Sequence, residues 1–177
     1  GVTASGVVID LITSSAAADS VAVDVKTTAN NAHTYSIATA ASNDIETLAL
    51  TMTDSSLIDL SGLAYGTALG TTAVTITGAG NATLSLVNAD VTTIDGSAMT
   101  GNLVITAKSS VDANTIKGGS GDDQLLHKNQ SDILEGGTGT ADLLTVDMTA
   151  IGKGLDIDLT SSSDQFTLGG VAGTSQS

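Results

Sequence analysis

The residues whose types and spacing could do chemistry sit in Gly118-Gly119-Ser120-Gly121-Asp122-Asp123-Gln124-Leu125-Leu126. This stretch fits the nine-residue pattern G-G-x-G-x-D-x-U-x, where U is a large aliphatic, at every specified position. Glycines permit a tight loop with inward-pointing carbonyls, Asp123 supplies a carboxylate, and Leu125 faces a core from a short strand. Ligation by oxygen alone suits a hard cation, and Ca2+ is the expected one. Gly-Ser-Gly-Asp-Asp taken alone reads as a flexible surface loop. The surrounding phase decides between the two readings.

Counting in nines, the eighth position is Ile116, Leu125, Leu134 and Leu143, four aliphatics without a break. The sixth is Asn114, Asp123, Asp132 and Ala141, with Asp142 one place late. Gly136-Gly137 lies 18 residues after Gly118-Gly119 and is followed by Gly139. If two nonapeptides make one turn of a stacked coil, residues 18 apart share an edge. Gly118, Gly119, Gly121 and Asp123 are then expected beside Gly136, Gly137, Gly139 and Asp142, with one ion clamped between the two loops. Asn114 and Asp132 fall on the opposite edge. There His127-Lys128-Asn129-Gln130-Ser131-Asp132 has no glycine, so a weaker calcium site or none is expected.

The elements that must position these loops read as strands. Val21-Ala22-Val23-Asp24-Val25, Leu48-Ala49-Leu50-Thr51-Met52, Val74-Thr75-Ile76-Thr77 and Leu155-Asp156-Ile157-Asp158-Leu159 all alternate with period two. Helix signals are poor; the best, at residues 14–20, is too short to bury much. The expected fold is all-β, a parallel β-solenoid or β-roll with 18-residue coils. Thr47-Leu48-Ala49-Leu50 aligns with Thr83-Leu84-Ser85-Leu86 at an offset of 36, as do Asp54 with Asp90, Ile58-Asp59 with Ile94-Asp95, and Ser61 with Ser97. Thirty-six is twice 18, which two such coils would give. A looser third copy, Val146-Asp147-Met148-Thr149-Ala150-Ile151, breaks the phase. About ten coils at roughly 4.8 Å would make a rod some 45–50 Å long. Asp59, Asp95, Asp147 and Asp10 read as corner residues bonding their own backbone rather than as ligands.

The domain division follows from these signals. Residues 1–45 form an N-terminal β segment, poor in glycine, for which a less regular cap and a continuous coil both stay open. Residues 46–108 form a Thr/Ala-rich solenoid, 109–144 the calcium-binding roll, and 145–177 a C-terminal β segment and tail.

Composition narrows the partners. The 177 residues carry 17 Asp and 2 Glu against 5 Lys and no Arg, a net charge of -14. Nothing neutralises phosphates, so nucleic acid is not an expected partner, and anionic lipid is disfavoured too. Divalent cations are expected instead, with a fold that loosens when they leave. There is no Cys, hence no disulfide framework or thiol chemistry. No apolar run is long enough for a membrane-spanning helix, and the chain reads as a fragment or processed product of a longer one. Aromatics are confined to Tyr35, Tyr65 and Phe166, so the core must be thin and aliphatic.

The nonapeptides at 109–144 resemble the RTX repeats of bacterial proteins exported by type I secretion. Together with Thr/Ala/Ser-rich segments such as Val91-Thr92-Thr93-Ile94-Asp95-Gly96-Ser97-Ala98-Met99, they resemble the RTX-bearing surface-layer (S-layer) proteins, which assemble in calcium. The likeness covers roughly residues 45–170. It implies a secreted protein of the bacterial cell surface, self-associating into a lattice or filament, with cell-surface glycan engaged through domains outside this chain. Its loop glycines and aspartate fall on Gly118, Gly119, Gly121, Asp123, Gly136, Gly137 and Gly139. Two alternatives are an RTX-type adhesin or glycan- or ice-binding module, for which Thr71, Thr72, Thr75 and Thr77 offer hydroxyls, and the non-catalytic calcium-binding tail of a secreted hydrolase. No H-E-x-x-H or G-x-S-x-G motif is present, and the only histidines, His33 and His127, read as loop positions, so the chain is not expected to be an enzyme.

Overall fold

The computed structural model describes residues 5–9, 19–26, 34–39, 45–63, 72–106, 114–128, 132–146 and 164–168. These contain fourteen strands and no helix: β1 (Ser5–Ile9), β2 (Ser20–Val25), β3 (Thr34–Thr39), β4 (Thr47–Met52), β5 (Ser56–Gly62), β6 (Thr72–Gly78), β7 (Ala82–Val87), β8 (Val91–Met99), β9 (Leu103–Ile105), β10 (Thr115–Lys117), β11 (Gln124–His127), β12 (Ile133–Glu135), β13 (Asp142–Val146) and β14 (Asp164–Leu168). Alternation makes them strands. In β4, Leu48, Leu50 and Met52 are buried while Thr47, Ala49 and Thr51 face outward. With no proline in the chain, no residue lacks the N–H that a sheet ladder needs.

Every described strand pairing is parallel, and partners lie two strands apart up to β13. Odd-numbered strands form one eight-stranded sheet, closed by β14; even-numbered strands form a six-stranded sheet. The chain therefore winds from sheet to sheet as a β-solenoid. Leu50, Ile76 and Ile94 from one sheet and Ile58, Leu60 and Leu84 from the other share a single aliphatic core, each at most 1% exposed. Burying each such side chain contributes about 1.5–3 kcal/mol.

Coil width is where expectation and structure part. The 18-residue register holds at β10/β12, where Ile116 pairs with Leu134. Elsewhere the coil is wider: Ser20 pairs with Thr47, Leu48 with Val74 and Ile58 with Leu84. The spacing then falls through Ala82 with Leu103 to Val104 with Gln124. The 36-residue repeat consequently does not stack residue on residue. Leu48 lies in β4 of the six-stranded sheet and Leu84 in β7 of the eight-stranded one. The offset spans three half-coils, because each strand-plus-corner carries the same pattern whichever sheet it joins. Wider coils also mean fewer levels: eight strands in the longer sheet extend about 34 Å at roughly 4.8 Å each.

Among the first 45 residues, β1 pairs with β3, and β2 with β4, within the same two sheets. Asp10, Asp147, His33, Thr71, residues 14–18, the third repeat copy beyond Val146 and residues 155–159 lie outside the described residues.

Candidate cation site at the stacked glycine turns

The turn from β10 to β11 holds Gly118, Gly119, Gly121 and Asp123; the turn from β12 to β13 holds Gly136, Gly137 and Gly139 and leads into Asp142. One lies directly upon the other. Gly118 N–H donates to the Glu135 carbonyl (2.8 Å), Thr138 N–H to the Gly119 carbonyl (2.8 Å) and Leu143 N–H to the Asp123 carbonyl (2.7 Å). Glycine is required by this closeness. A Cβ on Gly118 would overlap the Asp123 carboxylate and the Gly136 carbonyl oxygen, and one on Gly137 would overlap the Gly119 carbonyl. Gly137 also has φ of 103°, a conformation that side-chain-bearing residues rarely adopt.

The acids meet at the same edge. Asp123 is fully buried; its Oδ1 accepts from Leu103 N–H (2.6 Å) and its Oδ2 from Gly119 N–H (2.7 Å). Asp142, 4% exposed, accepts from Asp123 N–H at Oδ1 (2.9 Å). Asp142 thus takes the position that an 18-residue count gives to Ala141. The coil absorbs the extra residue by lengthening to 19, with Gln124 opposite Leu143. Beside them the exposed Asp122 accepts from Thr140 N–H (3.3 Å) and Ala141 N–H (3.1 Å). Burial pushes the Asp123 carboxyl above its ordinary value; the amides of Leu103 and Gly119 pull it back, and the carboxylates of Asp142 and Asp122 push it up again. Its negative charge is not fully compensated.

The donor set fits a hard divalent cation. It is all oxygen, and a carboxylate that accepts two amides retains further lone pairs. Among the described residues no three Asp, Glu, His or Cys side chains gather into a ready-made cluster. A cation would therefore draw on backbone carbonyls of the two glycine turns together with Asp123 and Asp142, and would supply the positive charge the buried carboxylates lack.

The opposite edge uses its acid differently. Asp132 accepts from Asn114 N–H (2.9 Å) and Lys128 N–H (2.9 Å), and Asn114 Nδ2 donates to the Val91 carbonyl (2.6 Å). The pattern repeats that of Asp123: one oxygen takes the amide four residues back, the other an amide of the preceding coil. Here, in a stretch whose sequence carries no glycine, Asp132 ties its own coil to the one before it. Asp59 and Asp95 bond their own backbone as expected, accepting from Ser61 N–H (2.9 Å) and Ser97 N–H (3.0 Å), but they do so inside β5 and β8, where the strand register shifts, and not at corners. Hydrogen bonds from Ser97 hold the Asp95 carboxyl below its usual value. Thr75 and Thr77 lie next to Ala49 and Thr51 on one side and Asp95 and Ala98 on the other, so no regular hydroxyl array builds up there.

One feature escaped the sequence reading. The glycine column continues upstream through Gly101 and Gly80, where a Cβ would collide with the backbone of the coil beneath. Alongside it runs a polar ladder. Asn81 N–H donates to Ser55 Oγ (3.2 Å), Asn102 N–H to Asn81 Oδ1 (2.9 Å) and Asp122 N–H to Asn102 Oδ1 (3.0 Å). Its signal is a dipeptide, Gly80-Asn81, Gly101-Asn102, Gly121-Asp122, then Gly139-Thr140. The spacings of 21, 20 and 18 hide it from any fixed-period count. Compared with protein-family models, curated proteins and solved structures, the chain matches none of them.

Proposed function

We propose that the chain is a structural, non-catalytic protein of the bacterial cell exterior, a β-solenoid stabilised by calcium that self-assembles into a surface layer or fibre. The observation that carries this reading is the stack of two glycine turns with the buried Asp123 and Asp142 at one edge, where the Asp123 charge is disfavoured. Calcium held there neutralises the acids and fixes the turns, so binding free energy becomes folding free energy. Inside a cell, where free calcium is low, the same carboxylates repel and keep the glycine-turn segment open for export. Outside, the ion sets the coil, and stiffened copies associate with one another. The net charge of -14 leaves nucleic acid outside the partner set. No helix among the described residues is long and apolar enough to cross a membrane.

Electron microscopy of the purified chain with and without calcium tests the proposal. Ordered sheets or fibres in calcium that dissolve on EGTA addition are expected. Assemblies indifferent to chelator would count against calcium as the stabiliser, and a chain that stays monomeric in excess calcium while binding glycan would replace this reading with the adhesin alternative.

A further inference from the structure

Charge in this chain is sorted by position. Asp19, Glu46, Asp54, Asp90, Asp122 and Asp132 stand in the turns between strands. The outer face of the six-stranded sheet is built differently. Across β4 and β6 it presents only Thr47, Ala49, Thr51, Ala73, Thr75 and Thr77, short side chains without charge. Its charges lie toward the ends. Asp24 is at one, and Asp95, Lys117 and Glu135 follow one another in a single column toward the other, with Lys117 3.0 Å from Glu135. The same face carries Ile133, the large aliphatic left exposed among the described residues, with 58% of its surface open. Ile133 ends the column that runs through Thr115 and Thr93, whereas the opposite end of the face, in β2, carries the small Ser20 and Ala22.

We infer that this face is where two copies of the chain meet, packed face to face with strands running the same way and the stacking direction reversed. The inference rests on the self-assembly reading above and adds the surface that does it. A face of short side chains offers neither groove nor knob, so the surface that fits it is another flat one. In this arrangement β2 of one copy lies over β12 of the other, β4 over β10 and β6 over β8. Ile133 then covers Ser20 of the second copy, Glu135 covers Ala22, Lys117 covers Ala49 and Asp95 covers Thr75. No acid of these columns faces an acid, and two-fold symmetry makes each contact twice. An approach through the turns would instead set acid against acid, in a chain of net charge -14. Six strands span about 29 Å and the longer ones run about 20 Å, so the pair buries roughly 1,000 Å², the lower bound of a specific interface. The pair, and not the single chain, is then the unit that a layer or fibre repeats.

The chain has no cysteine, so introduced thiols report this contact alone. Ser20→Cys and Ile133→Cys chains, mixed in excess calcium and oxidised, are expected to give a disulfide-linked pair joining position 20 to position 133. Within one chain β2 and β12 are the two ends of the sheet, about 24 Å apart, too far for a disulfide. Links only between identical positions, or no link in a mixture that sediments as an oligomer, would overturn the arrangement. Sedimentation equilibrium on the full chain in excess calcium gives a second reading. Thr75→Asp sets a carboxylate against Asp95 of the second copy and should weaken pairing at least tenfold, with circular dichroism unchanged. Thr83→Asp, between the buried Ala82 and Leu84 on the outer face of the eight-stranded sheet, should leave pairing as it is. Any other pattern of loss would overturn this face while leaving self-assembly standing. A wild-type chain that stays monomeric throughout would overturn both.

Discussion

The wide coils of β4–β7 and the narrow coils of β10–β12 solve one problem by different means. Each wide strand buries two or three large side chains: Leu48, Leu50 and Met52 in β4, Val74 and Ile76 in β6. Each narrow strand fully buries one at most, Ile116 in β10 and Leu125 in β11, while Leu134 in β12 is only partly buried. At about 1.5–3 kcal/mol per buried aliphatic, a wide strand gains several kcal/mol that a narrow one lacks. The narrow coils differ at their edge as well, where the buried acids Asp123 and Asp142 appear. A shrinking core and an increasingly ionic edge are two views of one change in coil length.

The largest effects should come from the core. Ile76→Ala is expected to lose about 2–5 kcal/mol, with thermal unfolding shifted equally in calcium and in EGTA. A larger shift in one condition would break the comparison. Gly137→Ala, which combines positive φ with overlap onto the Gly119 carbonyl, should lose about 1–3 kcal/mol from the backbone conformation alone, and its calcium-dependent gain in melting temperature should shrink. Gly78→Ala, at φ 108° over the Met52 carbonyl, should be as destabilising but insensitive to the ion. Asp132→Ala leaves the amides of Asn114 and Lys128 without that acceptor and should lose about 1–3 kcal/mol, again without altering the response to calcium.

The pH dependence sharpens the same contrast. The folded-state pKa of Asp123 lies above its ordinary value, so its protonated form is favoured by folding. That contribution is fully present below the unfolded carboxylate range and is lost as pH rises through the raised value. Without calcium, denaturant unfolding should show the 115–146 region gaining stability as pH falls from neutral toward the ordinary carboxylate range. With calcium bound the gain should vanish. The smallest effect is expected at the surface: Lys117→Met removes the 3.0 Å pair with Glu135, and a change above about 1 kcal/mol would show that this face matters more than its exposure suggests.

How much of this was legible in the sequence depended on whether a signal had a fixed period. Alternation in Leu48-Ala49-Leu50 gave the strands, and the 18-residue spacing of Gly118 and Gly136 gave their stacking, since both are local or regular. Coil width was not legible, because Leu48 and Leu84 look alike while sitting in different sheets. The ladder through Asn81 and Asn102 was hidden because its spacing drifts as the coil narrows. The place of Asp142 could not be settled from spacing alone, since an added residue can bulge outward or lengthen the coil; only the pairing of Gln124 with Leu143 decides it.

The most direct measurement is anomalous X-ray diffraction from crystals of the chain grown in calcium. The expected result is an anomalous peak between the turns at 118–123 and 136–142, within ligand distance of Asp123 and Asp142. Well-ordered turns, stacked as described but with no peak between them, would contradict the claim that a trapped cation holds the narrow coils together.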